Sequence, residues 1–205
     1  MSVPEPESAP ASADPVDLLA RSLAQTGALI AGVRGDQGAL PTPCPSWSVS
    51  ELLGHLVHDL RQFTIRAGGG QPEWSDPVER IEGSARQAFE HGAAALLTAW
   101  RRAGDLTGVL EVPGMGELPA RFPVDQQVAE FAVHAWDLAR ATGQSTELDE
   151  EVGRSSLEWA RRALRPEHRG TEAEGHVFGP EVPVPSDAPL YDRLAAWFGR
   201  DPGRH

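Results

Sequence analysis

Hydrophobic residues recur along this chain at intervals of three and four, the spacing that places them on one face of an α-helix. The apolar members of the clearest run are Val49, Leu52, Leu53, Leu56, Leu60 and Phe63. Ser48 and Glu51 stand at its start as a capping box, in which the two residues satisfy each other's backbone N–H groups. Three glycines beginning at Gly68 follow it. The pattern predicts a helix from Val49 to about Gly68.

The same spacing predicts five further helices. Asp14 and Pro15 are a typical cap and first-turn pair for a helix that runs to about Gly32. The others are expected at about residues 76–104, 124–142, 149–164 and 189–198. Glycine and proline interrupt residues 106–121, for which we predict a loop or a short hairpin. Several long helices with few strands favour an antiparallel bundle, in which facing helices can hold an interior site.

The composition excludes several classes of function. The chain has 205 residues and a formal net charge of -12, which disfavours nucleic acid and anionic membranes as partners. All 18 basic residues are arginine, so Schiff-base chemistry and the P-loop lysine are excluded. No apolar run approaches the ~20 residues that cross a bilayer. We expect a disordered lead-in over residues 1–13, a single domain over 14–205 and a cytoplasmic location.

Cys44 is the only cysteine. Neither an intrachain disulfide nor a cysteine-based zinc site can therefore form, and any metal must rely on histidine and carboxylate ligands. Cys44 stands between two prolines in a turn-forming run. A packed small residue explains this position better than a reactive thiol.

Three Glu-x-x-x-His pairs place two potential ligands on one helix face, since residues four apart are neighbours there. Glu51 belongs to the capping box, so its pairing with His55 is interpreted as accidental. The pair at 172 and 176 stands in a glycine-flanked polar stretch, which predicts a solvated loop. Glu130 and His134 stand in the middle of a predicted helix beside its apolar stripe, and an interior carboxylate there needs a partner.

His55 borders the apolar face of its own helix and could join Glu130 and His134 from the side. Two imidazoles and one carboxylate are a common zinc ligand set that leaves a position for water, thiol or substrate. From the pattern alone, a hydrogen-bonded core histidine with a salt bridge is the simpler reading. Asp59 and Asp137 are candidates to orient the imidazoles, with an ion pair or a structural hydrogen bond as their alternatives. Five tryptophans are assigned to packing rather than to a cofactor platform: Trp47, Trp100, Trp136, Trp159 and Trp197.

Longer motifs resemble a known family. The segments are TPCPSWSV at 42–49, LLGHLV at 52–57, EFAVHAWDLARATGQ at 130–144, FGPEVPVP at 178–185 and LAAWFGRDP at 194–202. They resemble the mycothiol-dependent maleylpyruvate isomerase-like proteins of the DinB fold over nearly the whole chain after residue 13. The resemblance implies an all-α, DinB-like four-helix bundle with additional short C-terminal helical segments and little strand. It also implies His55, Glu130 and His134 as ligands of a divalent metal, with zinc expected and nickel or other ions possible.

The resemblance further implies an enzyme that uses a low-molecular-weight thiol such as mycothiol and a small electrophilic substrate. Addition of the thiol would give a conjugate, whereas addition, bond rotation and elimination would give cis-trans isomerisation. Isomerases of the family carry a further C-terminal domain that contributes to their active site, so the resemblance leaves transfer and isomerisation open. A noncatalytic metal- or ligand-binding module and a purely structural bundle are the alternatives. Catalytic residues and oligomeric state are not indicated.

Overall fold

A computed structural model describes residues 14–44, 47–74, 81, 83–112, 116–170, 174, 176 and 178–203. The helices are α1 (Pro15–Ala31), α2 (Val49–Ala67), α3 (Ala85–Ala103), α4 (Phe122–Thr142), α5 (Glu150–Ala163) and α6 (Leu190–Trp197). Strands β1 (Val109–Val112) and β2 (Gly116–Pro119) form an antiparallel hairpin. The expected all-α architecture with little strand is confirmed, and so is the hairpin.

Local capping explains where several helices begin and end. The Asp14 carboxylate accepts from the first backbone N–H groups of α1, and Asp149 does the same for α5. The capping box of Ser48 and Glu51 is present at α2. Gly143 ends α4 in the left-handed conformation, at φ 70°, which glycine adopts without strain. These ends agree with the predicted ones because each depends on residues close in sequence.

The third helix begins later than predicted. Ile81 and Gly83 lie outside it, and Ser84 caps it through a hydrogen bond from the backbone N–H of Gln87. Gly83 has φ 88°, a conformation that cannot continue an α-helix. The predicted start near residue 76 lies outside the described residues, as does the lead-in predicted for residues 1–13.

Helix α4 is the centre of the bundle. It contacts α1, α2, α5 and α6, and sixteen of its 21 residues are buried. Such a helix is surrounded by protein, so its polar side chains must find partners inside. The largest fully buried side chains include Phe131, Trp136 and Leu138 of α4 itself, together with Leu19 of α1 and Leu52 and Leu56 of α2. In the described parts of the chain, no helix is long and apolar enough to cross a membrane.

The segment after α6 returns to α4. Gly199 has φ 86° and packs so closely on Gly179 that a Cβ atom would lie 2.8 Å from the Cα of Gly179. The guanidinium of Arg140 donates to the carbonyl of Pro202 at 2.9 Å. These contacts carry the side chain of Arg200 into the bundle, where only 9% of its surface is exposed. We call residues 198–203 the C-terminal tail.

Candidate metal centre

Three side chains from two helices meet between α2 and α4. His55 projects from α2, and Glu130 and His134 project from successive turns of α4. One ligand atom from each lies within 4.8 Å of the other two. The Oε1 atom of Glu130 is 3.3 Å from Nε2 of His55 and 3.0 Å from Nε2 of His134. The residues chosen by motif and spacing are therefore neighbours, while their role as metal ligands stays a prediction.

These separations suit a metal ion. Zinc bonds to nitrogen and oxygen are about 2.0–2.1 Å long, which sets neighbouring ligand atoms of a tetrahedron roughly 3.3 Å apart. The two measured contacts with Glu130 have nearly this length. Both imidazoles present the same ring nitrogen, Nε2, toward the carboxylate. The donor set and its spacing thus fit a divalent ion.

His134 is oriented from its far side by Asp137. The Nδ1 atom lies 2.9 Å from Oδ2 of Asp137, and both residues are buried. A carboxylate on Nδ1 holds the proton there and leaves the lone pair of Nε2 for a ligand. The orienting role considered for Asp137 agrees with this geometry.

Asp59 takes a different position from the one expected. Its Oδ2 lies 3.3 Å from Nε2 of His55, the nitrogen that faces Glu130, so it does not orient the ring from Nδ1. Asp59 is buried, with 4% of its surface exposed. Burial and the Glu130 carboxylate raise the pKa of Asp59 to about 8. A carboxyl group thus stands beside the side of His55 that faces Glu130.

Glu130, His134 and His55 shift one another's pKa values. Burial opposes ionisation of Glu130, yet His134 and His55 together hold its pKa well below the usual range. Burial also disfavours protonation of His134, but Glu130 and Asp137 outweigh this and raise its pKa to about 9. For His55, burial is the larger influence and lowers the pKa. Glu130 is therefore an anion held between two imidazoles, as a carboxylate ligand must be.

Trp47 and Arg200 belong to the surroundings of this cluster, although the sequence did not single them out. The Trp47 ring lies 4.3 Å from the His55 ring and 5.6 Å from the His134 ring, centroid to centroid. Arg200 binds Asp137 with its Nη2 atom 3.0 Å from Oδ2. The sequence pattern predicts only a packing role for Trp47. Both residues fall in the resemblance motifs at 42–49 and 194–202, which was the one available signal.

Neither Glu51 nor His176 joins the cluster among the residues that the structure describes. Glu51 is engaged in the capping box as predicted. The position of His58 off the apolar stripe predicts an exposed side chain, and this prediction is wrong because the side chain is half-buried. Residue 172 lies outside the described residues, so the loop predicted for the third pair is not described. Of the packing tryptophans, Trp100, Trp136 and Trp159 are buried.

Comparisons with known proteins place the chain in a family. The model of the mycothiol maleylpyruvate isomerase N-terminal domain matches residues 19–139, which include all three candidate ligands and more than half of the chain. The chain belongs to this family. Two Mycobacterium tuberculosis relatives, uncharacterized proteins MT0763 and Rv0738, are each 34% identical over 187 residues, covering 91% of this chain and 98% of theirs.

Solved structures extend the likeness to the fold. The crystal structure of a mycothiol-dependent maleylpyruvate isomerase has a TM-score of 0.55 and 19% identity, and the match covers 80% of this chain and 72% of that one. A mutant of a mycothiol-dependent maleylpyruvate isomerase gives the same TM-score and coverage at 17% identity. At this identity the two structures establish a shared fold. Family membership thus agrees with the resemblance in the sequence motifs.

Proposed function

We propose that His55, Glu130 and His134 bind one divalent metal ion, with zinc the expected one. We propose further that the protein is an enzyme using mycothiol to transfer a thiol to a small electrophile or to isomerise it. The observation that carries the proposal is the meeting of two imidazole nitrogens and one carboxylate oxygen at 3.0–3.3 Å contacts. Membership of the mycothiol isomerase domain family supports the thiol cosubstrate.

The charge of the proposed site and the residues around it favour a thiolate as the fourth ligand. Two neutral imidazoles and one carboxylate leave a formal charge of about +1 on a bound divalent ion, which favours a thiolate over a neutral thiol. Asp137 holds the His134 ring so that Nε2 faces Glu130. The indole of Trp47 packs at a tilt against both imidazoles, with ring centroids 4.3 Å and 5.6 Å away, and occupies that side of the cluster. A thiol would therefore approach from another direction.

Metal content tests the first half of the proposal. Protein produced without a polyhistidine tag is expected to contain close to one divalent metal per chain by elemental analysis. The variants His55→Ala and His134→Ala are expected to lose it. His91→Ala is the matched control, because His91 is exposed on α3. Stoichiometric metal in the double variant His55→Ala/His134→Ala would show that other residues bind it.

Thiol binding and turnover test the second half. Calorimetric titration with mycothiol is expected to show binding to the metal-loaded protein and weaker binding to the metal-free form. Mass spectrometry with a panel of electrophiles then separates the reactions: a conjugate indicates transfer, and consumption without a change in mass indicates isomerisation. If the thiol binds neither form and no electrophile reacts, the enzymatic proposal is wrong.

A noncatalytic metal-binding module is the second candidate, and the position of Asp59 favours it. Its Oδ2 is 3.3 Å from Nε2 of His55, the same separation as that of Oε1 of Glu130. A fourth protein ligand there would close the site to a thiol. Asp59→Ala distinguishes the candidates, since loss of a ligand would sharply weaken metal binding. In the enzymatic proposal the variant keeps its metal and still binds mycothiol.

A further inference from the structure

Arg200 connects three parts of the protein around the candidate metal centre. From the C-terminal tail, its guanidinium donates to both carboxylate oxygens of Asp137 at 3.0–3.3 Å. It also donates to the carbonyl of Phe198 at 3.0 Å and approaches Sγ of Cys44 at 3.5 Å. Arg200 is almost completely buried. A buried cation whose three guanidinium nitrogens all have partners is well placed to determine how those partners are arranged.

The first connection leads to His134. Oδ2 of Asp137 accepts from His134 Nδ1 at 2.9 Å and from Arg200 Nη2 at 3.0 Å. Asp137 has no exposed surface, so an uncompensated carboxylate there would be strongly disfavoured. Burial opposes its ionisation, but Arg200 and His134 hold the pKa of Asp137 below its usual value. Arg200 therefore keeps in place the carboxylate that orients the ring.

The second connection leads to His55. Cys44 lies in the loop before α2, and its carbonyl accepts from the backbone N–H of Trp47 at 3.0 Å. The Trp47 ring in turn packs against His55. One guanidinium thus contacts Asp137, which orients His134, and Cys44, whose carbonyl binds the backbone of the residue packed on His55. This also accounts for the motifs at 42–49 and 194–202, which contribute no ligand.

We propose that Arg200 is a positioning residue for the metal centre, acting on His134 through Asp137. The inference rests on the proposed metal site and goes beyond it, because Arg200 lies outside the part of the chain, residues 19–139, that the family model matches. The C-terminal tail thereby becomes part of the functional unit.

The direction of the effect on metal affinity distinguishes positioning from simple charge. Arg200 is a cation near a site for cations, so removing its charge alone would tighten metal binding. Loss of positioning weakens binding instead, and loss of an outer hydrogen-bond partner typically costs about 10–100-fold. We expect Arg200→Met to raise the zinc Kd by this factor, with Arg200→Lys in between. Arg140→Met is the matched control, since Arg140 joins the same tail to α4 by donating to a backbone carbonyl. The zinc Kd of this control variant should stay near that of the unsubstituted protein.

A double-mutant cycle tests the route of the effect. If Arg200 acts through Asp137, then Arg200→Met should change the zinc Kd little in an Asp137→Asn background. An equal loss in both backgrounds, or tighter binding by Arg200→Met, overturns the proposal. Circular dichroism and thermal unfolding confirm that each variant folds. Should Arg200→Met not fold, Arg200→Lys carries the same comparison.

Proton NMR of the metal-free protein separates this proposal from the proposed function. The buried Nδ1–H of His134, hydrogen-bonded to Asp137, should give a slowly exchanging downfield signal that is absent from His134→Gln. In Arg200→Met and Arg200→Lys the signal should shift or exchange faster. An unchanged signal in both variants refutes positioning even if the protein binds metal. A changed signal in a protein without metal affinity would leave positioning intact and remove the metal site.

Discussion

His134 and His55 offer the same ring nitrogen to the same carboxylate, yet the protein holds the two rings differently. His134 is buried in α4, and a chain of charged hydrogen bonds runs from its Nδ1 through Asp137 to Arg200. His55 is half-buried on α2 and packs against the indole of Trp47. Away from the carboxyls at Nε2, the His134 ring is held by charged hydrogen bonds and the His55 ring by packing. Loss of support should therefore be more damaging on the His134 side.

Replacement of Asp137 by leucine is expected to have the largest effect. It leaves the buried charge of Arg200 without its partner, and breaking a buried ion pair in this way costs about 3–5 kcal/mol in the free energy of unfolding. Asp59→Leu is the matched change beside His55. It removes a carboxyl whose ionisation burial already disfavours, so its effect should lie within about 1 kcal/mol of zero. Urea unfolding measures the free energy of unfolding of both variants. Equal losses in the two variants would show that the His134 side and the His55 side are supported equally.

The pH dependence of metal affinity should distinguish the two rings. The pKa of His134 is raised to about 9, whereas burial lowers that of His55 from 6.5. A ligating nitrogen must lose its proton. As pH falls below about 9, metal competes with one proton on His134, and the Kd should rise roughly tenfold per pH unit. His55 adds a second proton only below pH 6.5. Chelator competition at pH 7, 8 and 9 measures the slope, and a constant Kd would contradict it.

The packing of Trp47 is expected to matter less. Contacts between aromatic rings contribute about 0.5–1.5 kcal/mol, or roughly two- to tenfold in an equilibrium constant. Trp47→Leu should weaken zinc binding by this factor, and Trp47→Phe, which keeps a ring, should recover part of the loss. The same chelator competition applies. A loss as large as that of Arg200→Met would mean that packing and charged contacts support the site equally.

Cys44→Ser should have the smallest effect. The thiol accepts a long contact from Arg200, at 3.5 Å, while the shorter bonds of Arg200 to Asp137 and Phe198 remain. A hydrogen bond to a charged group contributes about 1.5–3 kcal/mol at normal length, but this contact is long and the serine oxygen can replace it. We expect the zinc Kd to change less than about twofold. A larger change would assign the thiol a role that its geometry does not predict.

Sequence reasoning and structure agree best where interactions are local. The capping residues of α1, α2 and α5 stand next to the turns they stabilise, so the starts of these helices could be inferred directly. Helix α3 departs from the prediction because apolar spacing extends past Gly83, whose positive φ interrupts the helix. Glu130 and His134 could be paired from sequence because one helical turn separates them.

The sequence by itself determined the helical elements, the ligand types and the shared face of Glu130 and His134, since helical geometry follows from neighbouring residues. Only the tertiary structure decided that His55 meets them, that Asp59 approaches Nε2 and that Asp137 binds Nδ1. It also decided the pairing of Asp137 with Arg200, 63 residues apart. Such contacts depend on how α2, α4 and the C-terminal tail pack together. The periodicity of apolar residues along the chain does not determine in which direction a ring or a guanidinium points inside the bundle.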